Sequence, residues 1–177
     1  GYRRGQAITI GSIGAWYAEN GDFDEAIKYY AQALEIIREL KVTSEEPRLL
    51  MNLGLVYHHK GNLKKALDFL GRAVELSTSI GNKPAEEYAR RYFGFAFLDT
   101  DQFEAARAEF QRSGEIATSL GSKIGLAASK VGLGLVDLRT ASNRSLLDEG
   151  LAEVRRLGDS ETVIKGEITL AKWLMSV

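Results

Sequence analysis

The chain has 177 residues, 45% of them hydrophobic, and its 23 basic and 24 acidic side chains give a formal net charge of −1. This composition supports a folded core, and a nearly neutral chain lacks the long-range field that recruits nucleic acid or an anionic membrane. Cysteine is absent. That excludes disulfides and thiolate metal sites and fits a reducing compartment, so we expect a cytoplasmic protein.

Self-similarity at a spacing of 40 residues organises the sequence. The spacing relates Gly14 to Gly54 and Gly94, and a fourth copy opens in register at Gly134. The second half of that copy matches the third at an offset of 37, because its turn is three residues shorter. The pattern predicts a single array with approximate repeats at 5–41, 45–81, 84–121 and 124–158, followed by a final helix at 161–175.

Each copy is predicted to form two helices, because apolar residues recur at spacings of three and four. The second helix of the first copy shows this pattern at Phe23, Ile27, Tyr30 and Leu34. Helical hairpins therefore follow one another along the chain.

Turn residues separate the predicted helices. Gly21 and Gly61 are expected to end the first helix of their copies in a left-handed conformation, and Asp22 with Glu25 has the spacing of a capping box. Pro84 suits the first turn of the third copy. Between copies, a glycine followed by a polar residue predicts a helix end and a new N-cap, as at Gly81–Asn82, Gly121–Ser122 and Gly158–Asp159.

Glycines also recur inside the first helices, where each costs about 1 kcal/mol relative to alanine. A compensating cause is needed, and we predict that they let the paired helix approach closely, while Tyr17, Tyr57 and Phe97 fill the gap to the next helix. The residues that allow this approach are Gly14, Gly54, Gly94, Gly134, Ala26, Ala66 and Ala106.

The pattern resembles the tetratricopeptide repeat (TPR) family, whose motif contains a Leu-Gly-x-x-Tyr run followed by spaced small residues and an aromatic residue. Leu53, Gly54 and Tyr57 match this run, whereas Ile10 and Leu50 replace the family's initial Trp. The resemblance covers nearly the whole chain and implies an all-α fold, an α-α superhelix (TPR solenoid) of about four helical hairpins plus a C-terminal helix. The spacing is similar to that of a longer subgroup found in polarity adaptors, kinesin light chains and bacterial or archaeal regulators, since the common repeat has about 34 residues.

The resemblance also implies that the first helices line a concave groove that binds extended or helical peptides. In the polarity-adaptor subgroup an Arg and an Asn bind acidic peptides, and Arg48 and Asn52 stand at those positions before Gly54. The third copy places Tyr88 and Tyr92 there. The predicted partner-binding residues are Arg48, Asn52, Tyr88, Arg91, Tyr92 and Phe95.

These residue types suggest the chemistry of the partner. Arginine can clamp a carboxylate with forked hydrogen bonds, and aromatic side chains offer broad apolar contact, so we expect a protein or peptide with acidic and apolar residues. Another interpretation stays open, in which the arginines are solvated and the aromatic residues pack between helices.

The sequence contains no recognisable catalytic motif. The two histidines, His58 and His59, are adjacent and would point about 100° apart on a helix, so they cannot share a metal ion. No serine is surrounded by a nucleophile elbow, and the basic pairs lack the aromatic interleaving of nucleic-acid sites. We therefore predict no enzyme, metal, cofactor, nucleic-acid partner or membrane span.

Three functions remain open. The first is a scaffold that binds a peptide in the concave groove. The second is a ligand-sensing or regulatory domain of a larger bacterial or archaeal signalling protein, since the repeat is under way close to a first residue, Gly1, that is not Met, and we expect a fragment. The third is weak self-association through the final helix, which otherwise caps the array and carries an apolar stripe at Ile164, Ile168, Leu170 and Leu174.

Overall fold

The computed structural model describes residues 2–159 together with Thr162 and Gly166. The described residues contain eight helices and no strand, which confirms the predicted all-α helical-repeat fold. Apart from Thr162 and Gly166, the predicted final helix at 161–175 and its apolar stripe lie outside the described residues. The helices are α1 (Tyr2–Glu19), α2 (Phe23–Glu39), α3 (Glu46–His59), α4 (Leu63–Ser79), α5 (Lys83–Leu98), α6 (Phe103–Leu120), α7 (Lys123–Ala141) and α8 (Ser145–Leu157).

The helices fall into two compact units, Gly1–Ala89 and Arg90–Val177, whose boundary lies inside α5. In the first unit α1 packs on α2, α3 packs on α4, and α2 packs on α3. In the second unit α6 packs on α7 and α7 packs on α8. Within each unit, successive hairpins thus bury their apolar faces against one another. The repeat limits given above stay a prediction.

The glycines inside the first helices allow close approach, as predicted. A Cβ atom on Gly54 would lie 2.6 Å from Leu70 Cγ, and one on Gly94 would lie 2.8 Å from Phe110 Cε1. At Gly134 the obstacle is the backbone of α8 itself, since the added atom would lie 2.5 Å from Leu147 Cα. Each pair of helices crosses where no side chain fits between them.

Aromatic residues fill the adjoining gap between paired helices in the first unit. Tyr17 stacks on Tyr29 with ring centroids 5.2 Å apart, and Tyr57 stacks on Phe69 at 5.4 Å. The predicted role of these two tyrosines is confirmed. The two hairpins of this unit therefore share the same stacked pair of aromatic rings as well as the same sequence pattern.

The predicted glycine turns are left-handed. Gly21, Gly61, Gly81, Gly121 and Gly158 have φ values of +81°, +73°, +69°, +66° and +80°, in that order. Three residues with side chains also adopt positive φ, namely Lys41 at 54°, Asp101 at 56° and Ser142 at 52°. Lys41 stands one repeat before Gly81, and Asp101 stands one repeat after Gly61. The left-handed turn therefore recurs in each repeat even where the glycine is replaced.

The predicted N-caps between copies are present. Asn82 accepts a hydrogen bond from the Ala85 amide at 3.2 Å, and Ser122 accepts one from the Gly125 amide at 3.1 Å. The Asp159 carboxylate likewise accepts from the Thr162 amide at 3.3 Å. These contacts satisfy amides that the first turn of a helix leaves unpaired.

The capping box predicted for α2 is wrong. The Asp22 side chain makes no capping hydrogen bond. The reciprocal half of the box is also missing, because the Asp22 amide donates to the Tyr17 carbonyl at 2.9 Å. In the second hairpin, Asn62 does cap its helix by accepting from the Lys65 amide at 3.2 Å.

Candidate functional site

A groove of about 310 Å³ lies in the first unit, between the beginning of α3 and the beginning of α5. Its walls come from equivalent positions of two successive repeats, so that Arg48 on one wall corresponds to Tyr88 on the other. We refer to it as the α3–α5 groove. It is lined by Ser44, Glu45, Pro47, Arg48, Met51, Asn82, Pro84, Ala85 and Tyr88.

The local sequence makes the walls of the α3–α5 groove stiff. Pro47 and Pro84 both stand in the first turn of their helices, where a fixed φ favours helix formation and no amide is lost. Asn82 holds the start of α5 through its hydrogen bond to the Ala85 amide. The side chains on either wall are therefore presented from ordered helix starts.

Arg48 supplies the principal charge of the groove. Its side chain is 44% exposed, and Nη2 lies 3.9 Å from Glu45 Oε2, too far for a hydrogen bond. Glu45 is instead held by Arg4, whose Nη2 donates to Glu45 Oε1 at 2.8 Å. Two cations and one anion meet here, so the mouth of the groove has a positive balance that suits a carboxylate.

The Arg48 guanidinium lies near α1 as well as in the groove. Its Nη2 would lie 4.0 Å from a Cβ placed on Gly11, at ordinary contact distance. Its charge also acts on Tyr30: burial raises the pKa of the Tyr30 hydroxyl, and the positive charge of Arg48 opposes that rise. The arginine thus lies close to α1, and its charge is felt at Tyr30 on α2.

Two of the predicted binding residues come together in the groove. Arg48 and the half-buried Tyr88 line opposite walls. Asn52, one turn after Arg48 on α3, is half-buried and does not line it. The register of the repeat could identify Arg48 and Tyr88, but it gave no sign that Glu45 and Asn82 would join them.

The other predicted residues lie in the second unit and are buried. Arg91, Tyr92 and Phe95 have relative exposures of 5%, 5% and 4%. Arg91 Nη1 is 3.9 Å from Asp159 Oδ2, and its guanidinium carbon lies 5.6 Å from the centre of the Tyr92 ring. Phe95 meets the edge of Phe110 at 5.0 Å within the core of this unit. Their participation in partner binding remains a prediction, and their burial favours a packing role.

A second groove, of about 450 Å³, lies on another face of the first unit. It runs between α2 and α4, with Leu53 and Tyr57 of α3 at its floor. Arg72 lies on its rim with the guanidinium carbon 5.3 Å from the centre of the Phe69 ring, and it also pairs with Asp68 at 3.4 Å. Arg72 is thus a half-exposed arginine of the same unit outside the α3–α5 groove.

Among the described residues, no group of three or more His, Cys, Asp or Glu side chains is arranged to hold a metal ion. The rings of His58 and His59 have centroids 6.0 Å apart and planes inclined by 82°. Across the same residues, no helix combines the length and apolar character needed to cross a membrane.

Comparison with protein families identifies the class of the chain. The tetratricopeptide repeat model matches residues 5–79 and 45–119, more than half of the chain. The chain belongs to the tetratricopeptide repeat family. No protein of curated function matches the sequence.

Solved structures show the same fold at low identity. An aspartyl phosphate phosphatase F from Bacillus subtilis superposes with a TM-score of 0.81 and 13% identity over 94% of this chain and 45% of its own. The Rap conjugation gene regulator of plasmid pLS20, in complex with the Phr* peptide, gives 0.65 and 16% over 81% and 39%.

A further similar structure belongs to an archaeal signalling protein. The STAND protein with a tetratricopeptide repeat sensor from Pyrococcus horikoshii gives a TM-score of 0.66 and 20% identity over 90% of this chain and 26% of its own. In these three comparisons, the chain spans less than half the length of the protein that it matches.

Proposed function

We propose that the chain is a non-catalytic protein-interaction domain that binds a peptide or partner segment on the first-helix face, with the α3–α5 groove as its site. The observation that carries this proposal is the placement of Arg48 and Tyr88, from the same register of successive repeats, on the two walls of one groove. Arginine and tyrosine are the residue types that most often dominate binding energy at protein interfaces.

The groove is suited to a segment with acidic and apolar residues. Arg48 can turn its forked guanidinium to a carboxylate, because its contact with Glu45 is long and Glu45 is held by Arg4. Met51 and the ring of Tyr88 then offer apolar surface beside that ion pair. Its volume of about 310 Å³ is at the small end of ligand pockets, enough for one or two side chains rather than a whole ligand.

A regulatory role is the second candidate, and the comparisons support it. The regulator of plasmid pLS20 is in complex with a peptide, and the archaeal protein carries its repeats as a sensor. In such a role the peptide would be a signal that changes the contacts of other parts of a longer protein. The same groove would serve both functions.

The non-catalytic part of the proposal rests on the chemistry of the groove. Its titratable side chains are Glu45, Arg48 and Tyr88, and a nucleophile with an adjacent base is not among them. One similar structure is named a phosphatase, but at 13% identity the likeness concerns the fold alone.

The experiment is a fluorescence anisotropy titration with a labelled peptide in which glutamates alternate with leucine and phenylalanine. Arg48→Ala is expected to weaken binding by about tenfold, equivalent to ~1.4 kcal/mol. Tyr88→Ala should cause a loss of similar size. Arg72→Ala is the matched control, because Arg72 is 41% exposed against 44% for Arg48 and lies outside the groove.

Ionic strength provides an independent check on the same titration. An exposed ion pair between Arg48 and the peptide is screened by salt, so added salt should weaken wild-type binding more than binding by Arg48→Ala. Equal affinity of the wild type, Arg48→Ala and Tyr88→Ala would contradict the proposal, as would a loss confined to Arg72→Ala.

A further inference from the structure

The groove between α2 and α4 is larger than the α3–α5 groove, and the function proposed above makes no use of it. We refer to it as the α2–α4 groove. Its volume of about 450 Å³ lies within the range of ligand pockets, roughly 300–1,000 Å³. Both walls and the floor come from three consecutive helices, α2, α3 and α4, so the groove is complete within the first unit.

The α2–α4 groove is elongated along α2. The residues that α2 contributes begin at Ile27 and end at Glu39, and at 1.5 Å per residue they span about 18 Å. This length corresponds to roughly five residues of an extended chain. An extended segment of a protein therefore matches the groove better than a compact small molecule.

The middle of the groove is apolar and aromatic. Leu34 and Leu53 are buried there, and Ile27, Tyr57 and Phe69 are half-buried. The stacked rings of Tyr57 and Phe69 thus continue an aliphatic surface. A segment with aliphatic side chains would bury apolar surface on both sides of the groove.

The two aromatic rings already attract cations from the chain itself. Lys65 Nζ lies 4.7 Å from the centre of the Tyr57 ring, and the Arg72 guanidinium carbon lies 5.3 Å from that of Phe69. The negative face of an aromatic ring favours such contacts. The surroundings of these rings therefore tolerate positive charge.

Three of the four charged residues that line the groove have partners within the chain. Arg38 Nη2 lies 2.6 Å from Glu46 Oε1, and Arg3 Nη2 lies 2.7 Å from Glu39 Oε2. The third residue, Arg72, has the carboxylate partner given above. Each of these pairs is neutral, so together they leave no net charge at the groove.

Glu35 is the fourth charged residue of the lining. It is exposed, and within the described part of the chain its carboxylate forms no ion pair and accepts no hydrogen bond. Because the other charges are balanced, Glu35 gives the groove a negative balance. Its electrostatic complement is a cation, whereas that of the α3–α5 groove is a carboxylate.

We propose that the α2–α4 groove is a second docking site, which takes an extended segment of a partner protein with a lysine or arginine flanked by aliphatic residues. The aliphatic side chains pack on the floor, and the basic side chain lies along the groove with its cation paired to Glu35. The two grooves of the first unit then select segments of opposite charge. This site does not depend on the function proposed for the α3–α5 groove.

Fluorescence anisotropy with a labelled peptide, in which a lysine is flanked by leucines, tests the proposal. Glu35→Lys should weaken binding by about tenfold, because a like charge replaces the partner of the peptide cation. Glu75→Lys is the matched control, since Glu75 stands one repeat after Glu35, is exposed and lies outside both grooves. Both variants change the net charge equally, so a difference between them comes from the groove.

A second variant tests the apolar part of the site. Ala31 is exposed on the α2 wall, so Ala31→Leu fills the groove without entering the core, and leucine is well tolerated in a helix. Ala31→Leu should weaken binding of the basic peptide by about tenfold through steric exclusion. Its thermal unfolding should match that of the wild type, which shows that the fold is retained.

The remaining outcomes separate this site from the alternatives. Arg48→Ala should leave binding of the basic peptide unchanged, because Arg48 lies in the other groove. Equal affinity of Glu35→Lys and Glu75→Lys would overturn the proposal, as would undiminished binding by Ala31→Leu or no binding up to about 1 mM peptide. In sedimentation velocity, a mass that rises with concentration for the wild type but not for Ala31→Leu would assign the groove to a second copy of the chain and overturn the proposal too.

Discussion

At the scale of single residues, left-handed backbone positions are the clearest departure from what side chains prefer. Lys41 has φ of 54° at the repeat position where Gly81 and Gly121 have 69° and 66°. A residue with a Cβ atom is strained there by roughly 1 kcal/mol or more, whereas glycine is not. Lys41 holds this conformation because α2 and α3 are fixed on either side of it.

Exchanging the two residue types should therefore have opposite effects. Lys41→Gly is expected to raise the free energy of unfolding by about 1 kcal/mol, and Gly81→Lys to lower it by a similar amount. A Cβ atom on Gly81 would meet nothing within 4 Å, so the second effect comes from the backbone rather than from crowding. Urea denaturation measures both, and a loss of stability in Lys41→Gly would refute the explanation.

Alanine substitutions at the glycines inside the helices should change the free energy of unfolding by different amounts. Gly134→Ala should lower the free energy of unfolding by about 3 kcal/mol, because the new atom meets the backbone of Leu147, which cannot change rotamer. Gly14→Ala should cost less, since the nearest obstacle is the Tyr30 ring at 3.0 Å. Gly5→Ala, in open space, should stabilise by about 1 kcal/mol. Thermal and urea unfolding measure the series, and three equal effects would contradict close approach as the cause.

Sequence alone could locate most of these special residues. Each turn glycine was predictable, since glycine just after the end of a helix is favoured at a left-handed position. Lys41 and Asp101 were not, because neither side chain signals a turn and only the repeat register reveals it. The capping box at Asp22 failed because spacing cannot show that the Asp22 amide donates to the Tyr17 carbonyl instead.

At the scale of an element, α8 begins with an ion pair that spans one helical turn. Arg144 donates from Nε and Nη2 to the two carboxylate oxygens of Asp148, at 2.9 and 2.8 Å. These hydrogen bonds lower the pKa of the Asp148 carboxyl below its ordinary value. Both side chains are about half exposed, at 53% and 50%, so solvent and salt weaken the pair.

The sign of the resulting pH dependence follows from this shift. Because the pKa of Asp148 is lower in the folded chain, the pair stabilises the fold above the carboxyl's unfolded pKa and loses that contribution as the pH falls through the folded value. A carboxyl-carbon NMR titration should give a low midpoint for Asp148, which Arg144→Met returns toward the ordinary range. An unchanged midpoint in Arg144→Met would show that Arg144 is not the cause.

At the scale of the whole molecule, the hairpins and their order could be predicted because the spacing repeats along the chain. The candidate site could be predicted only in part. Register identified Arg48 and Tyr88, which do share a groove. It also grouped Arg91 with Tyr92, both of which are buried in the second unit, so their part in partner binding stays a prediction. Burial depends on what packs over a helix, which spacing does not specify.

The most direct test of the central claim, that the α3–α5 groove binds a peptide, uses Met51 as a reporter inside it. The chain contains two methionines, so methyl-labelled protein gives two side-chain signals, and Met51→Leu assigns the one from the groove. Titration with the acidic and apolar peptide should move the Met51 signal along the same saturation curve as the anisotropy. A peptide that binds by anisotropy while the Met51 signal stays in place would contradict the account.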